Sequence, residues 1–172
     1  MVGAGRGEPL DIPAAWRGSE LLERPDWQLT LEEEDIHELV MAIKPVLESG
    51  RAWQETSASD YVMPRLAGRL STLQHDLEHG SGAAMIKGFP VETLDEEQAS
   101  CAFWAMMCQV GAAVSQTAEG QRFFHVRDEG FQVGQSRARG PNTRKRLSFH
   151  TDRCDVIAFL CIRQAMKGGE NE

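Results

Sequence analysis

Towards the C-terminal end of the chain, His150, Thr151 and Asp152 set an imidazole and a carboxylate two residues apart. In an extended strand, residues i and i+2 project to the same face, so these two side chains would stand together while Thr151 turns away. An imidazole nitrogen and a carboxylate oxygen on one strand, joined by a distant histidine, make the facial arrangement that holds non-haem Fe(II) and leaves positions open for a co-substrate and O2. The spacing alone is weak evidence. With five His and nine Asp in 172 residues it arises by chance about 0.26 times per chain. A strand-end His and Asp that bond to backbone is the plainer account until the surroundings are weighed.

A second constellation is His75-Asp76-Leu77-Glu78-His79, which fits the H-x-x-E-H pattern of inverted zinc peptidases. Histidines at i and i+4 share a helix face and can clamp zinc, with the glutamate as general base. The stretch closes a helix just before Gly80, where cationic side chains also suit the helix dipole. No downstream Glu stands out as a third ligand, so a zinc peptidase is a distant alternative. Arg137, Arg139, Arg144, Lys145 and Arg146 crowd the approach to His150 around Gly140-Pro141. They read either as a lid that attracts an anionic substrate or as a solvated loop, and repulsion among like charges favours the loop. The four cysteines, Cys101, Cys108, Cys154 and Cys161, form no C-x-x-C pair and read as thiols rather than a structural zinc site. Cys154 and Cys161 are expected to be buried apolar filler.

The elements that must position these residues follow from periodicity and caps. The opening, residues 1–25, is Gly- and Pro-rich and reads as irregular. Thr30 and Glu33 make a capping box ahead of a helix over about 31–48, with Ile36, Leu39, Val40, Ile43 and Leu47 inward and a bend near Pro45. A second helix covers about 64–79 with Leu66, Leu70, Leu73 and Leu77 on one side. Residues 83–89 read as a strand between Gly82 and Pro90. Thr93 and Glu96 repeat the capping-box signature and open a third helix to about 110, with Ala99, Ala102, Phe103, Met106 and Val110 inward. Beyond Gly111 the pattern turns extended: a strand over 121–127, a weaker one over 130–134, a polar loop over 136–146, an extended run over 147–162 and a turn at 167–169. The order is α+β.

Composition sets the outer bounds. At 172 residues, 41% hydrophobic and 26% charged, the chain reads as one ordinary globular domain. No apolar run is long enough to span a membrane, and the first ten residues carry no export signal, so a cytoplasmic protein is expected. The net charge of −8 argues against nucleic acid as partner. The charge is uneven: residues 1–135 hold ten Lys/Arg against 22 Asp/Glu, while 136–172 hold eight against four, so the C-terminal end either prefers an anion or carries a solvated loop, and the solvated loop is the plainer reading.

In order and spacing the sequence resembles the taurine dioxygenase-like (TauD/TfdA) family of Fe(II)/2-oxoglutarate-dependent dioxygenases. Trp16 and Trp27-Gln28-Leu29-Thr30 resemble the entry to the family's first helix. Gly82 to Pro90 resembles its G-x-x-x-I-x-G-x-P strand and turn, and Gly111 with Ser115-Gln116 fits the segment after the next helix. Leu147 to Asp152 resembles its L-x-F-H-T-D strand. Asp155 to Cys161 with Gly168-Gly169-Glu170 resembles the stretch that follows. The resemblance implies helices over 1–110 packed on the first strands of a double-stranded β-helix (jelly-roll) that starts in 111–172. It implies that His150 and Asp152 are two of three iron ligands, with Fe(II) as metal and 2-oxoglutarate as co-substrate. The reaction implied is hydroxylation of a small organic molecule by O2, coupled to decarboxylation of 2-oxoglutarate to succinate. In the family the distal histidine and the co-substrate arginine come after the Gly-Gly-Glu turn, and members are roughly twice as long. The sequence therefore reads as the N-terminal half of a dioxygenase, with the C-terminal part of the core missing, inactive alone and prone to self-association through open strand edges. The alternative from another class is a non-catalytic jelly-roll interaction module or a decayed fragment.

Overall fold

The computed structural model describes residues 10–127, 150–152 and 154–164. By its contacts the chain divides into two units, Met1–Ala112 with Ile162–Glu172, and Ala113–Cys161. The described part of the first unit runs α1 (Gly18–Glu23), β1 (Gln28–Thr30), α2 (Glu33–Glu48), α3 (Pro64–His79), β2 (Met85–Lys87) and α4 (Glu96–Val110), with 3-10 turns at Trp53–Glu55 and Ala58–Asp60.

The boundaries of α3 are those the sequence predicts. Pro64 sits in the first turn, where its missing N–H is not needed. Leu66, Leu70 and Leu73 are buried. Gly80 stops the helix: a Cβ there would lie 2.7 Å from the Asp76 carbonyl oxygen, too close for any side chain. For α2 the cap is displaced. Thr30 does not cap; its backbone belongs to β1, and Glu32 is the N-cap, its N–H donating to the Asp35 carboxylate at 2.9 Å. The inward stripe is Asp35, Leu39, Ala42, Ile43 and Val46, rotated by one residue from the predicted Ile36, Val40 and Leu47, which are half-buried. Pro45 falls on the exposed face, so the helical bond it removes is left towards water. In α4 the cap is Asp95, whose carboxylate accepts from the Gln98 N–H at 2.8 Å while the Gln98 side chain accepts from the Asp95 N–H at 3.0 Å. Thr93 is committed elsewhere, its hydroxyl donating to the Pro90 carbonyl.

α4 packs against α2, α3 and both 3-10 turns. It buries residues around most of its circumference, among them Ala99, Cys101, Ala102, Trp104, Ala105 and Met106. Beneath it lies a satisfied polar group. The Thr56 hydroxyl donates to the Trp53 carbonyl at 2.5 Å, lies 2.6 Å from the Tyr61 hydroxyl, and accepts from Trp104 Nε1 at 3.1 Å. Burial pushes the Tyr61 phenol well above its ordinary range, and pushes the Cys108 thiol up to about 11 with Asp60 and Cys101 adding to it. Both groups therefore stay protonated and serve packing.

The two strands form a parallel pair in the register Gln28↔Met85, Leu29↔Ile86, Thr30↔Lys87. α2 and α3 make the crossover between them, as a parallel connection requires. Immediately after β2, Gly88 has φ of +79°, and a Cβ there would meet the Leu31 carbonyl oxygen at 3.2 Å. Two predicted features differ here. The opening is not wholly irregular, since it holds α1, and Trp16 Nε1 is anchored on the Ser81 carbonyl at 2.7 Å. Residues 27–30 are not a helix entry but the strand that β2 needs.

In the second unit, the described residues contain no helix and no strand. A turn is closed by the Gly120 N–H on Thr117 and by the Gln116 N–H, which donates to the Gln121 carbonyl at 2.7 Å. The strand expected over 121–127 and the extended run expected over 147–162 therefore form no ladder in their described parts. A strand is defined by a partner for its backbone groups, and none lines up along them there. The weaker strand over 130–134, the polar loop over 136–146 and the turn at 167–169 lie outside the described residues. Among the described residues no helix is long and apolar enough to cross a membrane.

Candidate metal centre

His150 and Asp152 lie in the second unit, outside any helix or strand. His150 Nε2 is 3.9 Å from Asp152 Oδ2, and the two side chains are 54% and 46% exposed. The i, i+2 spacing thus puts both donors on one side, open to solvent, although the segment is not in a ladder. Two donors at right angles, each about 2.1 Å from one ion, lie about 3 Å apart. The observed separation, 3.9 Å, is longer. The donor set, one imidazole nitrogen and one carboxylate oxygen, fits two adjacent positions of an iron site. Among the described residues no three His, Cys, Asp or Glu side chains come together as a metal-holding group.

The remaining candidates fall as follows. His125, in the same unit, lies in an edge contact with Phe123, ring centroids 5.2 Å apart. His75, Glu78 and His79 occupy the last turn of α3, the two imidazoles stacked at 4.6 Å. The five basic residues at 137–146 lie outside the described residues. Cys154 and Cys161 are exposed rather than buried, since no described neighbour covers this stretch, while Cys101 is buried; all four cysteines are free thiols.

One charged constellation was not foreseen from the sequence. Asp35, fully buried on α2, accepts from Arg65 Nε at 2.9 Å and from Arg69 Nη1, while Arg65 also reaches Glu32 and Arg69 donates to the Thr30 carbonyl at 2.9 Å. Burial raises the Asp35 carboxyl, but the Glu32 N–H and the two guanidinium groups outweigh it and hold the group below its ordinary value. Arg65 and Arg69 stand one helical turn apart, which was the available signal; their partner is 30 and 34 residues away and left none. This clamp ties the start of α2 to the start of α3 and to β1. It builds scaffold and holds no substrate.

Two known proteins align with nearly the whole chain. FR-33289 synthase of Streptomyces rubellomurinus is 27% identical over 164 residues, covering 95% of this chain and 48% of that protein. Taurine hydroxylase-like protein SAT17 of Stachybotrys chartarum is 22% identical over 167 residues, covering 93% of this chain and 43% of that protein. These distant relatives suggest a taurine dioxygenase-like oxygenase family. No family model matches the chain. The chain spans about half the length of the relatives it matches.

Proposed function

We propose that the chain carries part of an Fe(II)/2-oxoglutarate-dependent oxygenase that hydroxylates a small organic substrate, with His150 and Asp152 as metal ligands. The observation that supports this most is the His150 Nε2 and Asp152 Oδ2 pair, 3.9 Å apart and open to solvent, in a chain that aligns along its length with a taurine hydroxylase-like protein. His150 would contribute an imidazole nitrogen, and Asp152 a carboxylate oxygen that offsets the charge of a divalent cation. Because the two donors come from one short stretch, they occupy one side of an ion and leave the other positions for a co-substrate and O2. Iron held there supplies the redox chemistry that couples O2 to decarboxylation of 2-oxoglutarate. The residues' own task is to fix the ion and keep its remaining positions open.

The test is anaerobic Fe(II) titration of the 172-residue chain, followed by equilibrium dialysis. His150→Ala and Asp152→Ala should each weaken Fe(II) binding by at least about tenfold. Unchanged binding in both variants would remove the assignment.

A further inference from the structure

Away from the candidate iron ligands, α3 ends in a second pair of metal-ligating side chains. We propose that His75 and His79 form an exposed two-imidazole site for a borderline divalent cation of the Zn(II), Cu(II) or Ni(II) class.

Four observations carry it. First, the two residues are one helical turn apart on α3 with ring centroids 4.6 Å apart; in the stack, planes 24° from parallel, the lone pairs run side by side, and turning the exposed His75 ring brings both to one ion. Imidazoles at i and i+4 reach one ion from a single helix face. Second, His79 Nδ1 lies 3.3 Å from the His75 carbonyl oxygen. A carbonyl only accepts, so Nδ1–H is the donor and the lone pair is left on Nε2, which points the ligating nitrogen away from the backbone. A ring held through its other nitrogen by a carbonyl is the usual support for a ligating histidine. Third, the local field favours a cation. The pair sits in the last turn of α3, at the negative end of the helix dipole, and Glu78 Oε2 lies 3.9 Å from His79 Nδ1. Fourth, both rings are exposed, so an ion and its remaining waters can approach without displacing packed atoms.

Two nitrogen donors and no thiolate set the preference. Imidazole suits Zn(II), Cu(II) and Ni(II), and the affinity order for divalent ions places Fe(II) below all three. A site built on His150 and Asp152 follows the same order but offers one nitrogen instead of two, so the two are told apart by the number of nitrogens on the ion. Among the described residues no third side-chain ligand joins it, so water completes the coordination and the site binds and releases its ion readily. This is not the peptidase arrangement, which needs a third protein ligand. A bound ion ties residue 75 to residue 79, and so holds the last turn of α3 in helical form.

The experiment uses the metal-free 172-residue chain titrated with Cu(II) alone, read by calorimetry and by electron paramagnetic resonance. The expected result is an equivalent bound with a two-nitrogen hyperfine pattern, separate from any one-nitrogen copper held by His150 and Asp152. His75→Gln and His79→Gln should each lower that affinity by at least about tenfold, with far-UV circular dichroism unchanged because both rings are exposed, whereas His150→Gln should leave it in place. Retention of the two-nitrogen signal in the His75→Gln/His79→Gln double variant overturns the proposal. So does its loss in His150→Gln, which would place the copper on the candidate iron ligands instead.

Discussion

Leu39, Leu66 and Leu70 of the helical unit are fully buried, whereas Phe159 of the second unit is 75% exposed and its neighbours Val156 and Ile157 are about half exposed. The residue types are equally apolar. What differs is what stands opposite them. α2, α3 and α4 pack on one another, so the large side chains on their facing sides find counterparts within the unit, while others such as Met41 and Val62 stay exposed. In the described residues of Ala113–Cys161 none is buried. Stability therefore resides in the helices, while the candidate metal ligands sit on chain that burial within its own unit does not hold.

The contrast can be broken most forcefully from the helical side. Leu70→Ala removes a fully buried side chain of α3 and should cost about 2–5 kcal/mol of stability in urea unfolding. A loss below 1 kcal/mol, roughly the low end for exposed apolar changes, would show that the helices are not the stable part. The next effect is electrostatic. The Asp35 carboxyl has its value lowered in the folded chain, so the folded state binds that proton more weakly than the unfolded one. Its stabilisation is present above the ordinary value of 3.8 and is lost as pH falls below it. Asp35→Asn should cost about 1.5–3 kcal/mol at neutral pH, the range for hydrogen bonds to a charged group. The parent and variant should converge near the acid end of a thermal-melt series; a constant gap across that series would show that the charge contributes nothing. The smallest effect sharpens the contrast from the other side. Phe159→Ala should change unfolding stability by no more than about 0.5 kcal/mol. A larger cost would mean that the ring is covered in solution.

Much of the helical unit could be read in the sequence because its signals are local. The stop of α3 needs only Pro64 and Gly80, and its buried side needs only the spacing of Leu66, Leu70 and Leu73. The errors come where a local signal competes with a distant partner. Thr30 makes an acceptable cap until Lys87 takes it into a strand. Asp35 looks like the polar companion of Ile36 until Arg65 and Arg69 draw it inward and rotate the stripe. A strand of three residues such as β1 has too few positions to show alternation, and only β2 reveals it. At the candidate site, the shared side of His150 and Asp152 follows from their spacing. The third ligand, the co-substrate contact and the substrate depend on partners distant in the chain, and nothing local encodes them.

The parallel pairing of β1 with β2 also carries a temporal consequence. During synthesis from the N-terminus, residues 28–30 emerge long before residues 85–87 exist to bond with them. Until then the first segment has its backbone groups in water and no alternation to hold it straight. The sheet can close only after both intervening helices have been made and have turned the chain back, so it is not the seed of this part of the molecule.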